Sequence, residues 1–211
     1  MSPQSGIEKF AFLKKIALDK GAADAQIIPA DKIVIEDRVV LKCKLGCSNY
    51  GKTLMCPPYT PSAEEFRRIT REYSYALFMK FKSKAEAEAE TAKYLSKSEA
   101  DPALPSDMKE KIHNFWEAWR EDKQIMLSAV IDLEKAALNK GYPLAVGLVS
   151  GTCYLCEKCS VEKKVCAHPM KARYSEDAVG VNVKATAKNV GISVSFPFEK
   201  NPESFALVLI D

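Results

Sequence analysis

The stretch SDMKEKIHNFWEAWREDKQIMLSAVIDLEKAALNKGYPLAVGLVSG, residues 106–151, carries a helical pattern directly into an apolar run. Ile112, Phe115, Trp119, Met126, Val130, Leu133 and Ala137 recur mostly at three- and four-residue intervals, which lays one apolar stripe along a helix from Ser106 to Lys140. Trp116 and Trp119 accompany that stripe and read as core packing rather than as a ligand platform, and His113 reads as an ordinary histidine. Gly141 supplies the stop, and PLAVGLVSG then reads as a buried strand. A long striped helix feeding a buried strand requires a sheet for the helix to cover.

The flanking sequence supplies that sheet. YALFMKF around residues 75–81 and SFALVLI at the end of the chain read as buried strands, and ISVSF at 192–196 as a further one. FAFLKKIALDKG reads as a first helix, with Ser5 and Glu8 at capping-box spacing and Gly21 as its stop. IIPADKIVIEDRVVLKC, rich in Ile and Val, reads as short extended segments leading into Cys43. Ser62 opens a second helix through a capping box in SAEEF, and SEDAVGVNVKATAKNVG reads as a helix capped by Ser175 and stopped at Gly191. The Ala- and Glu-rich stretch at 84–105 reads as an exposed helical insertion. The expected architecture is therefore α/β or α+β: one domain over residues 1–211, with a mixed sheet of at least three strands and helices packed on it.

Composition narrows the function classes. At 211 residues and 47% apolar, the chain can bury a core without cross-links. A net charge of +3 with no basic run gives no basis for nucleic-acid binding. No segment has the roughly 20 apolar residues that span a bilayer, and the first thirty residues lack a signal-peptide h-region, so the expected place is the cytoplasm and no membrane partner is expected. Thiols stay reduced there, so dense cysteines point to metal or redox chemistry. There is no GxGxxG fingerprint and no Walker loop, and with only His113 and His168 no Ser-His-Asp set can be assembled.

The seven cysteines fall into two groups, on loops expected at 43–61 and 151–169. In GTCYLCEKCSVEKKVCAHP, Cys153, Cys156 and Cys159 have C-x2-C-x2-C spacing, which lets one short loop direct three thiolates at different irons, and Cys166 returns as a fourth. Zinc knuckles place a dozen or more residues between two C-x2-C pairs, whereas two residues separate Cys156 from Cys159. The departure from the ferredoxin pattern is the x6 spacing before Cys166 and the delayed Pro169. In CKLGCSNYGKTLMCPPYTP, Cys43, Cys47 and Cys56 form a C-x3-C-x8-C array among turn-prone residues. Tyr50 and Tyr59 there could shield a cluster, and Lys42, Lys44 and Lys52 supply positive charge. Arg173 and Tyr174 lie near enough in sequence to hold an anion.

Tyr50-Gly51-Lys52 before Cys56-Pro57-Pro58, together with the C-x2-C-x2-C run followed by Cys166, His168 and Pro169, resembles the domain-of-unknown-function family 2284 of predicted metal-binding proteins. The resemblance implies metal binding and names no substrate.

With four cysteines completing one cluster, three remain for a second, whose open iron could take water, His168 or a substrate. A ferredoxin-like exchange, with Cys56 or Cys166 serving the other loop's cluster, is the alternative partition. The leading reading is an iron-sulfur protein with one or two [4Fe-4S] clusters that carries electrons to a redox partner protein. The alternatives are an enzyme that activates a small-molecule ligand at an open iron, by sulfur transfer or elimination, and a zinc-stabilised binding module. Tyr50, Lys52 and His168 are the candidate cofactor-contacting side chains, and no catalytic residue is assigned.

Overall fold

The computed structural model describes residues 7–95, 101–196, 198 and 200–210. The α-helices among them are α1 (Ala11–Asp19), α2 (Asp37–Gly46), α3 (Ala63–Thr70), α4 (Ala89–Ala92), α5 (Ser106–Asn139) and α6 (Val183–Asn189). The strands are β1 (Asp24–Pro29), β2 (Tyr75–Lys82), β3 (Val146–Val149) and β4 (Glu203–Ile210), in the sheet order β1-β2-β4-β3. Every ladder is antiparallel, which decides for α+β and replaces the expected mixed sheet; parallel geometry is confined to an isolated bridge between Val149 and Ser175.

Both faces of the sheet are covered, which explains why β2 and β4 read as unbroken apolar runs rather than as alternating ones. The period of two sends Leu77, Met79, Ala206, Val208 and Ile210 to one face, where α1 and α5 pack with Phe10, Leu13, Met126, Val130 and Leu133. Ala76, Phe78, Phe205, Leu207 and Leu209 go to the other, against Phe66, Val179, Val181 and Ala187. Each large side chain so buried contributes about 1.5–3 kcal/mol. At 34 residues, α5 runs about 50 Å, longer than the sheet needs. Its N-terminal part instead covers Ala85 and Ala87 with Phe115, Trp116 and Trp119. The stretch expected as an exposed insertion is thus partly buried: residues 84–88 alternate, with Ala85 and Ala87 inward and the charged residues outward. Residues 96–100 of it lie outside the described residues.

Three local readings change. Asp37–Gly46 is helical although it ends a segment rich in Ile and Val, because Val39 is its one buried residue and one inward turn suffices, so Cys43 stands on a helix and the first loop begins at Cys47. The segment after Tyr174 is split by Gly180, whose φ of 87° is left-handed and where a Cβ would come 2.6 Å from Ala63 Cβ; the helix therefore starts later, capped by Asn182 accepting from the Ala185 N–H. ISVSF makes no ladder. Side chains tie it to the sheet instead: Lys80 donates to the Ser193 carbonyl at 3.0 Å, and Glu203 accepts from the Ser195 N–H at 2.8 Å. The Ser62 capping box forms as read, while Ser5 lies outside the described residues.

Candidate metal centre

The two cysteine groups sit in the two long connections between antiparallel neighbours, from β1 to β2 and from β3 to β4. The segment 174–182 fastens them together. The Val149 N–H donates to the Tyr174 carbonyl, the Ser175 N–H to Met55, and the Asn182 and Glu36 N–H groups to Val34 and Gly180 respectively. Direct contacts complete the junction: the Leu54 N–H donates to Cys159 Sγ at 3.4 Å, and Cys56 Sγ lies 3.6 Å from Thr152 Oγ1.

The first group is built from one helix end and a chain of turns. Cys43 lies in the last turns of α2, Cys47 is its C-cap, and successive turns bond Tyr50 to Cys47, Lys52 to Asn49 and Cys56 to Thr53. Gly51, at a φ of 71°, donates to the Pro57 carbonyl and closes the YGK turn, a conformation that side-chain-bearing residues rarely adopt. This turn then folds over the second group. Asn49 and residues 51–55 share the wall of a cavity of about 440 Å³ with Cys153, Cys156, Cys159 and Cys166. Thr53 Oγ1 on that wall is buried without a hydrogen-bond partner among the described residues, an orphan that an occupant of the cavity would satisfy.

Electrostatics sort the thiols the same way. Burial pushes Cys43 up to about 11, and Asp177, Cys47 and Cys56 add to the shift. Burial likewise raises Cys153, with Cys166, Cys156 and Cys159 contributing. The thiolates of Cys43 and Cys153 are thus disfavoured, and a bound cation would offset that penalty while displacing protons. Two N–H groups are aimed at sulfur, Leu54 at Cys159 and His168 at Cys166, both at 3.4 Å. Such bonds tune a metal-thiolate centre.

The profile of the domain-of-unknown-function family 2284, described as "Predicted metal-binding protein", matches residues 26–210, which takes in both thiol groups, β2 to β4 and all of β1 but its first two residues. The chain belongs to this family. No curated protein and no solved structure matched it. The metal that the family description implies fits the residues present: seven cysteine sulfurs, four of them on one cavity wall, and an unsatisfied buried hydroxyl on a residue of the same wall. Among the described residues no three His, Cys, Asp or Glu side chains close on a single point, as one ion would require. No helix among them is long and apolar enough to cross a membrane.

The sequence candidates of this family member are placed unequally. Lys52 lies on the four-thiol wall, whereas Tyr50 and Tyr59 are exposed and stand off it. His168 approaches Cys166 through its backbone N–H, and its side chain is exposed. Arg173 is not free for an anion: Nε and Nη2 donate to Glu134, and Nη1 to the Ala172 carbonyl. Tyr174 is half-buried and packs against the core.

Three residues emerge that sequence reading missed. Tyr154, on the four-thiol wall, also feels the charges of Cys56 and Cys47, which places it between the groups; its position inside the first C-x2-C was the available signal. Lys123 is buried in the stripe of α5, donates to Ser204 Oγ at 2.9 Å and lies 4.2 Å from the centre of the Trp119 ring. It fills the seven-residue gap between Trp119 and Met126, being four residues from one and three from the other. Glu176 is 2% exposed, and its Oε1 has no hydrogen-bond partner among the described residues.

Lys123 and Glu176 shift in opposite directions. Burial lowers the Lys123 ammonium against the pull of Glu176 and Asp177. Burial raises the Glu176 carboxyl, Asp177 adds to this, and Lys123 opposes it. Because the folded state holds a proton on Glu176 that the unfolded chain has released, stability falls as pH rises from the ordinary carboxylate range toward neutrality. Glu176→Gln removes that dependence, and Lys123, deprived of its partner, titrates lower still, which acts in the same direction. Denaturant unfolding of both proteins should show the variant gaining on the wild type between about pH 5 and about pH 8, by on the order of 1 kcal/mol per pH unit. A gap that is flat with pH would refute the buried, proton-holding carboxyl.

Proposed function

We propose that the chain is an iron-sulfur protein in which Cys153, Cys156, Cys159 and Cys166 hold one cluster and Cys43, Cys47 and Cys56 hold a second, and that it serves electron transfer. The observation that carries this reading is the cavity of about 440 Å³ with four thiols on its wall. A lone zinc ion needs its ligands within about 2.3 Å of one point; a polyatomic cluster takes ligands spread around a larger space. Cys56 is not on that wall and Cys166 is, which favours the four-and-three partition over an exchange of ligands between loops. Bound there, a cluster supplies one-electron redox chemistry, and an iron lacking a fourth protein thiolate supplies a Lewis acid. The chain's own contribution is to hold the thiols, to direct two N–H bonds at sulfur and to place Lys52 and Tyr154 against the four-thiol space.

The open-iron enzyme is favoured by a different observation. Asp177, whose charge reaches Cys43 of the three-thiol group, lines a second and larger cavity. The test of the leading reading is the composition of protein prepared without oxygen. Iron and acid-labile sulfide in comparable amounts, with a visible spectrum that bleaches reversibly on one-electron reduction, are expected. Colourless, sulfide-free protein loaded with zinc would sink it.

A further inference from the structure

A cavity of about 650 Å³ opens between α2, the 176–183 segment and the start of β4. Trp119 and Phe205 give it an apolar wall, and Glu176 and Asp177 give it carboxyl groups. Lys42 and Lys184 supply positive charge, while Arg38, also on the wall, is engaged by Glu36 through Nε at 2.8 Å and Nη2 at 2.7 Å. Glu176 is the telling member. A carboxyl group this deeply buried, with Oε1 lacking a partner among the described residues, leaves an acceptor that folding desolvated and did not satisfy. Ser150, which faces the same carboxyl group, exchanges hydrogen bonds with the Phe205 backbone at 2.8 and 3.0 Å through Oγ, Lys123 Nζ donates to Ser204, and neither is a partner of Oε1. Glu176 lines the cavity, so an occupant can supply the missing donor.

We propose that this cavity binds a small organic acid whose hydroxyl or amino group donates to Glu176 Oε1, whose carboxylate meets Lys42 and Lys184, and whose apolar body lies against Trp119 and Phe205. The site is made of the chain's own side chains and stands whichever metal the thiols hold. Lys42 precedes Cys43 on α2, so an occupant would lie beside the three-thiol group. That is where a substrate of the open-iron reading would have to be.

Three probes with one skeleton separate the parts of the proposal: phenyllactate carries the hydroxyl, phenylalanine the amino group, and 3-phenylpropionate neither. Calorimetric titration of the full-length, metal-loaded protein should show at least one donor-bearing probe binding about tenfold or more tighter than 3-phenylpropionate, the effect of one hydrogen bond to a buried carboxyl. Glu176→Met should erase that preference, and Lys184→Ala should weaken the bound probes by about threefold. Equal affinities, no heat from any probe, a preference that survives Glu176→Met, or indifference to Lys184→Ala would each overturn the assignment. If Glu176→Met does not yield folded protein, the ranking of the three probes on the wild type still decides. Iron and sulfide measured on the same preparation keep a failure of the cluster reading separate from a failure of this one.

Discussion

Replacing Cys156 with alanine should remove about half of the iron and acid-labile sulfide from anaerobically prepared protein and leave the rest bound, because its thiol belongs to a wall on which no thiol of the first group lies. Cys47→Ala should remove the complementary half. It is the cleaner probe of its group, since Cys47 is exposed and its loss leaves no cavity, whereas Cys56 is 8% exposed and its replacement would disturb packing as well as ligation. The surviving centre in each variant should keep its own spectrum. Two sortings agree on this partition: the cysteines around the four-thiol cavity, and the thiols whose charges act on Cys43 and on Cys153. If either variant alone loses all its iron, the loops share ligands and the four-and-three partition is wrong. If neither loses any, cysteine is not what holds the metal.

How far such a site can be read from sequence depends on whether the deciding signal is local. The Ser62 capping box and the apolar runs of β2 and β4 are local, and each forms where the sequence places it; the C-x2-C-x2-C run is local too, and its three cysteines line one cavity. The α2 helix was misread because Val and Ile near Cys43 carry strand propensity, and only the tertiary contact of Val39 shows that a single helical turn satisfies them. The antiparallel sheet was hidden for another reason. A strand buried on both faces looks alike in parallel and antiparallel sheets, and it is the covering of this sheet by α5 on one side and the 179–187 region on the other that erases the usual alternation. Lys123 was legible in principle, as the one polar residue at an inward position of a regular stripe, but reading it required accepting a buried charge. Glu176 carried no sequence signal. Its importance comes from the meeting of β3, α5 and the 174–182 segment, which lie far apart along the chain.

Arg173 shows what that meeting depends on. Arg173→Ala should destabilise the protein by about 3 kcal/mol, because it leaves Glu134 as an unpaired carboxylate in a site where the two side chains are only 16% and 13% exposed. For a chain of this size that corresponds to a fall in Tm of about 6–12 °C. The loss is not one of charge alone. Glu134 Oε1 also accepts the Gly147 N–H at 2.6 Å, so the ion pair joins α5, β3 and the end of the second cysteine loop at one point. Gly147 is required there, since a Cβ would fall 2.1 Å from Val130 Cγ1. A paired variant distinguishes this account from simple loss of packing. Glu134→Gln combined with Arg173→Met keeps an acceptor for Gly147 and removes both charges, and it should recover more than half of the stability lost in Arg173→Met alone. If the double variant is as unstable as the single one, the stranded carboxylate is not the cause. Were Arg173→Met to cost less than about 0.5 kcal/mol, the ion pair would be an exposed surface contact, and the second cysteine loop would be held by its backbone bonds to Val149 and Met55 instead.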